Sequence, residues 1–134
     1  MNKRITLQLL AAAAGLRIVG EHLPPSSMME GNVVVGRETT KVRDIMARAG
    51  IAYHIDLVPW KRAYTSAVRR GNGCVYSASR TPEREPLFHW IGPLDEAEWM
   101  LLARSDRGYR FKTLEDARTL RIGTYNGDAR EEYL

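Results

Sequence analysis

The sequence predicts an α/β fold with a mostly parallel sheet, and three observations carry that expectation. Short runs rich in β-branched residues alternate with stretches of helical periodicity, in the order strand, helix, strand, helix, strand. Glycine or proline stands at most of the boundaries between them. The 134 residues, 44% of them hydrophobic, suffice for one core but are few for two complete domains.

Residues 16–20 (Leu16-Arg17-Ile18-Val19-Gly20) read as a short buried strand, followed by a turn-rich stretch, 21–31, that holds Pro24-Pro25 and Ser26-Ser27. Val33-Val34-Val35 adds a brief extended segment. From Thr40 the period changes: Val42, Ile45, Met46 and Ala49 fall on one helical face, and Gly50 supplies the stop. Residues 51–58 roughly alternate and are rich in β-branched and aromatic side chains, a strand that Pro59 ends. Trp60, Ala63, Tyr64, Ala67 and Val68 mark a second helix, closed by Gly71 and Gly73, and 74–78 form a third strand. Thr81-Pro82 reads as the cap and first position of a further helix. Strands are expected at 88–91, 98–104 and 120–124. A short helix is expected after Thr113, where Asp116 completes a capping box, and another after Asn126-Gly127-Asp128.

The function classes narrow from charge and composition. Twenty Lys and Arg against sixteen Asp and Glu give a net charge of +4, but the two signs are interleaved, and no stacking-and-phosphate pattern accompanies them. This argues against nucleic acid and for a general attraction to anions. The single cysteine, Cys74, has no partner for an intrachain disulfide and reads as a small buried hydrophobe. His22, His54 and His89 lack the spacing of a zinc pair, so neither metal nor cofactor is expected. At the start, Asn2-Lys3-Arg4 precedes the apolar run 5–14, so that 1–15 has the outline of a secretory signal and predicts export to the periplasm.

In an open parallel sheet ligands gather at the carboxyl ends of the strands, which directs attention to 21–27 and 77–84. In the second segment a helix N-terminus at Thr81 would offer unpaired N–H groups to an anion, and Arg84 a bidentate clamp for a carboxylate, with Arg80 competing for that role.

A family likeness runs through these residues: Leu16-Arg17-Ile18-Val19, Leu23-Pro24-Pro25, Val58-Pro59-Trp60-Lys61-Arg62-Ala63-Tyr64, Ser79-Arg80-Thr81-Pro82-Glu83-Arg84-Glu85, and Trp90-Ile91-Gly92-Pro93. It continues through Leu114-Glu115-Asp116, Arg121-Ile122-Gly123-Thr124, Gly127-Asp128-Ala129 and Glu132-Tyr133-Leu134. In order and spacing the chain resembles the family 3 extracellular solute-binding proteins, the polar amino-acid receptors of ABC importers. The resemblance implies a type II periplasmic-binding fold, with a first lobe over 16–104 and the start of an incomplete second lobe over 105–134. It implies a small carboxylate-bearing ligand such as an amino acid, and ABC transporter membrane subunits as partners.

By position the resemblance makes Arg84 the partner of the ligand carboxylate, assisted by Ser77 and Ser79. Trp60 becomes an aromatic wall and Glu21 an acidic position beside the ligand. Tyr125, Gly127, Asp128 and Ala129 fall where the second lobe closes over the carboxylate. Each residue also has a plainer reading. Arg84 is then a helix residue paired with Glu83 or Glu85, Trp60 core, Glu21 a turn residue, and 125–129 a turn and cap. Ser26-Ser27 replaces an aromatic that family members often carry after the proline pair. Relatives are also longer, and their additional part holds the acid that meets the ligand amine. Two other classes remain. One is an enzyme resembling cyclohexadienyl dehydratase on the same fold, for which no acid–base pair stands out beyond isolated Glu21, His22 and Asp128. The other is a sensory or interaction module whose unfinished sheet edge is completed by strand exchange in a homo-oligomer.

Overall fold

The computed structural model describes residues 15–134, so the signal-like segment lies, except for Gly15, outside the described residues. The chain forms two compact units, one ending at Asp95 and one spanning Glu96–Leu134.

The first unit is α/β, as the alternating pattern predicts. Its elements are β1 (Leu16–Gly20), β2 (Met28–Glu30), β3 (Val33–Val35), α1 (Arg37–Ala49), β4 (Tyr53–Leu57), α2 (Trp60–Arg69) and β5 (Gly73–Val75). Three strands make a parallel sheet in the order β4-β1-β5, with Ile18 opposite Ile55 on one side and Cys74 on the other. The chain steps from β1 to β4 in one direction and back past β1 to β5 in the other. Right-handed crossovers therefore put α1 and α2 on opposite faces.

Strand alternation decides what each face receives. Leu16, Ile18, Tyr53, Ile55, Leu57 and Cys74 turn toward Val42 and Met46 of α1, forming the core with Val34 and Tyr76. The opposite face carries Val19, buried to 2% exposure, and Gly73, on which a Cβ would stand 3.5 Å from the Ala67 Cα of α2. Ala63 and Ala67 are buried on that helix, and their small side chains let it lie close to the sheet. The same face also carries polar residues: Arg17 reaches Asp56 at 3.2 Å, and His54 Nε2 lies 2.9 Å from the other Asp56 oxygen.

The helix ends follow local chemistry. Gly50 adopts the left-handed conformation (φ 64°) and its N–H bonds back to the Ala47 carbonyl, as its place after an amphipathic run predicts. Val33–Val35 is indeed extended, and its partner is β2, antiparallel across Gly31. That hairpin is absent from the sequence reading because Met28-Met29-Glu30 lacks the alternation that marks a strand.

Beyond Val75 the predicted regular elements give way to turns. The third strand stops three residues early, because Ser77 takes a positive φ of 59° and ends the extended run. Thr81 begins a turn followed by a single 3-10 turn, Glu85–Leu87, instead of an α-helix. Pro86 explains this: it has no N–H to give to the carbonyl four residues back, and it disfavours helical geometry at Glu85. The strands expected at 88–91, 98–104 and 120–124 are not formed. A strand persists only when a neighbour takes its backbone hydrogen bonds, and none of these runs has one among the described residues.

In the second unit the described elements are the 3-10 turns Ser105–Arg107, Glu115–Ala117 and Ala129–Tyr133. The Asp116 carboxylate accepts from the N–H groups of Lys112 (2.8 Å) and Thr113 (3.0 Å), the back half of the predicted capping box. Those amide bonds hold its carboxyl below the usual range. Among the described residues, no helix is long and apolar enough to cross a membrane.

Candidate functional site

The parallel register delivers three chain segments to one edge of the sheet. The Gly20 carbonyl accepts from Val58 N–H at 2.9 Å and the Val19 carbonyl from Tyr76 N–H at 3.0 Å. Glu21, the Val58-Pro59-Trp60 entry to α2, and the Tyr76-Ser77 corner thus leave the carboxyl ends of β1, β4 and β5 side by side. An open depression lined by Glu21, His22, Met29, Leu57, Val58 and Pro59 lies at this edge.

Arg84 is buried to 6% exposure, which is unusual for an arginine. Its guanidinium lies 5.6 Å from the Trp60 ring centroid and 5.1 Å from that of Tyr64, the separation of cation–π contacts. Nη1 reaches the Ser79 carbonyl at 3.5 Å. Trp60 and Tyr64 are one helical turn apart on α2, so the first turns of that helix form the aromatic seat for the arginine. The aromatic packing continues from Tyr64 to Phe88 (5.4 Å) and from Phe88 to Trp90 (5.5 Å), both edge-on.

Arg80 has a different environment. Its Nε and Nη2 each donate to Glu85 at 2.6 Å, a fork that uses the bidentate face, and the guanidinium stands 5.7 Å from the Trp90 ring. The Arg80 hydrogen bonds hold the Glu85 carboxyl below its ordinary value. Glu85 therefore serves Arg80, and of the two arginines Arg84 is the one enclosed by aromatic rings. The anion-binding helix N-terminus expected at Thr81 is not formed. Thr81 Oγ1 is buried and makes no hydrogen bond among the described residues, while its carbonyl accepts from Arg84 and Glu85 N–H.

Ser77 is the one residue other than glycine with positive φ among the described residues. Its hydroxyl donates to the Glu38 carboxylate in the first turn of α1. Next to it, the Tyr76 hydroxyl and Thr39 Oγ1 are 3.0 Å apart, and burial pushes the Tyr76 phenol up. Thr39 is 1% exposed and Glu38 8%. Both of their N–H groups point to the Ser26 carbonyl, at 3.4 and 3.1 Å, and Ser27 Oγ donates to the Glu21 carbonyl at 2.6 Å. The corner after β5, the start of α1 and the loop after β1 are thereby joined by hydrogen bonds. Glu38 was not singled out from sequence. Its one signal there is an acid near a helix start, which serves the helix dipole equally well.

Tyr125, Gly127, Asp128 and Ala129 belong to the second unit. Asp128 caps the Ala129–Tyr133 turn, accepting from the Arg130 N–H at 2.8 Å and from Arg130 Nε at 2.7 Å, with a further short contact to Nη2. The Arg130 guanidinium lies 5.2 Å from the Tyr125 ring, and Ala129 is buried. Burial alone would raise the Asp128 pKa, but the Arg130 side-chain and backbone hydrogen bonds, with Tyr125, outweigh it and hold the carboxyl low. Among the described residues no group of three or more His, Cys, Asp or Glu is disposed to hold a metal ion. Comparison with family models, curated proteins and solved structures found no match to this chain.

Proposed function

We propose that this chain carries the first lobe of a type II periplasmic-binding fold and recognises a small carboxylate-bearing molecule, such as an amino acid, for ABC-type import after export to the periplasm. The observation that carries the reading is Arg84, a permanently charged fork set on Trp60 and Tyr64 beside the carboxyl ends of a parallel sheet. Aromatic faces on an arginine fix its orientation, and the planar guanidinium fork matches the geometry of a carboxylate. The order β4-β1-β5, in which the two successive crossovers run in opposite directions across the sheet about central β1, supports the reading, because open α/β sheets take ligands where the strand order reverses.

Calorimetric titration with the twenty L-amino acids tests it. At least one is expected to bind the parent protein. Arg84→Ala is expected to weaken that binding at least about tenfold, the scale of a hydrogen bond to a charged group. Arg84→Lys is expected to restore little, because an ammonium has no planar fork. Equal heats for the parent and Arg84→Ala would remove Arg84 from the site.

A further inference from the structure

We infer that the solvent face of α2, built on Lys61, Arg62 and Arg69, is an electrostatic docking surface for an anionic phospholipid bilayer. The charges of this chain interleave except in one stretch. Residues 57–82 hold Lys61, Arg62, Arg69, Arg70 and Arg80 and no Asp or Glu, five positive charges in a chain whose net charge is +4. Arg80 is taken up by Glu85, and Asp56, the acid just before the stretch, is engaged by Arg17 and His54. Arg62, Arg69 and Arg70 form no ion pair among the described residues.

The helix gathers these cations on one side. It buries Trp60, Ala63 and Ala67, and at about 3.6 residues per turn Lys61, Arg62 and Arg69 fall opposite them, all exposed. Arg62 and Arg69 stand two turns apart, about 10 Å along the axis. Arg69 and Arg70 suit the carboxyl end of a helix, but nothing in α2 asks for cations at its start. Pro59 offers no side-chain cap and the first turn holds no acid, so Lys61 and Arg62 add positive charge where the helix dipole is already positive. In α1, by contrast, Glu38 offsets Arg37 in the first turn. A local rule broken at exposed positions without local compensation points to a role outside the helix.

The face also discriminates among polyanions. Trp60 is buried and Tyr64 packs on Arg84 and Phe88, so no aromatic platform is offered to single-stranded nucleic acid. Its large apolar member is Val68, 44% exposed, too little for the desolvated centre of a protein interface. A plane of phosphate headgroups asks only for a row of cations. Because the apolar side of α2 is already buried, attachment is electrostatic and reversible, without insertion. Binding of this kind does not depend on Arg84.

The test is sedimentation of the whole chain with vesicles of phosphatidylcholine alone and with about one third phosphatidylglycerol added, scored as the ratio of the two partition coefficients. The apolar run 5–14 contributes to both vesicles alike and cancels. The ratio is expected to reach at least about twentyfold at low salt and to collapse near about 0.5 M salt. Arg62→Gln and Arg69→Gln are each expected to lower it about fivefold, the scale of one basic residue at such a surface. Arg48→Gln, the same charge change at an exposed position of α1, is expected to leave it unchanged. Arg62→Glu is expected to lower the ratio further while raising the thermal midpoint, because it corrects the helix dipole. A parent ratio near one, or equal losses for Arg48→Gln and Arg62→Gln, would overturn the inference, the second by showing attraction through net charge alone. A raised midpoint in Arg62→Glu with the ratio unmoved would overturn it too. Single-stranded DNA bound as tightly as the anionic vesicles, with the same dependence on Arg62, would replace it with a general polyanion site.

Discussion

The two units of this chain treat similar apolar content differently. In the first, Ile18, Val34, Val42, Ile55 and Tyr76 close into one core because parallel pairing holds three strands in register and presents one face of each to α1. In the second, the buried hydrophobic residues are Ala117 and Ala129, while Trp99, Met100, Leu101, Leu102 and Phe111 are exposed. Hydrophobic composition is therefore not what separates them. A run of apolar residues is buried only when its backbone is also satisfied, and in the first unit the strand partners do that.

The largest expected effect comes from the paired unit. Ile18→Ala, at a position 2% exposed in the centre of the sheet, is expected to lower the stability of the first unit by about 2–5 kcal/mol in urea denaturation. A loss under 1 kcal/mol would mean that the register does not anchor the core. Gly20→Ala comes next. Its new Cβ would lie 2.4 Å from Tyr76 Cε1, and Tyr76 is pinned to Thr39, so overpacking of about 1–3 kcal/mol is expected, measured as a drop in midpoint. Removing the ring with Tyr76→Leu should relieve that clash in the double variant, a non-additivity that sharpens the point.

A smaller, pH-dependent effect is expected in the second unit. The folded-state pKa of Asp128 is depressed, so its contribution is fully present above the ordinary aspartate value near 3.9 and is lost as pH falls through the folded value. The protection factor of the amides in the Ala129–Tyr133 turn, exchange corrected for its intrinsic pH dependence, should fall on acidification below about pH 4, and Asp128→Asn should show a low protection factor that acidification does not lower further. An acid response retained in the variant would assign it to another group. The smallest effect is expected for Leu102→Ser, at a residue 91% exposed, within about 0.5 kcal/mol of the parent. A larger loss would show that the second unit buries this side chain in solution and would erase the contrast between the two units.

Much of the first unit was legible in the sequence. The β-branched run at Ile18-Val19, the helical spacing of Val42 and Met46, Gly50 as a stop and Pro59 before Trp60 each act within a few residues, where local sterics and periodicity decide the outcome. The runs at 98–104 and 120–124 were read by the same rules and are not strands, because β pairing depends on a partner that local pattern does not contain. Pro86 is a local signal against a helix after Thr81, where the Thr81-Pro82 pair alone points the other way.

For the candidate site, the residue types were readable and their roles were not. Arg80 and Arg84 are four apart in one loop and look interchangeable in the sequence. Only the tertiary structure gives Glu85 to Arg80 and the faces of Trp60 and Tyr64 to Arg84. Glu38 and Ser77 are separated by thirty-nine positions, and no periodicity joins them. By itself, then, the sequence determined the α/β class, the stop of α1 at Gly50 and the start of α2 after Pro59, since these follow from backbone sterics and near-neighbour patterning. The fold decided which charges are paired, which arginine is enclosed and which hydroxyl has its proton committed, since those depend on distances between segments that only packing sets.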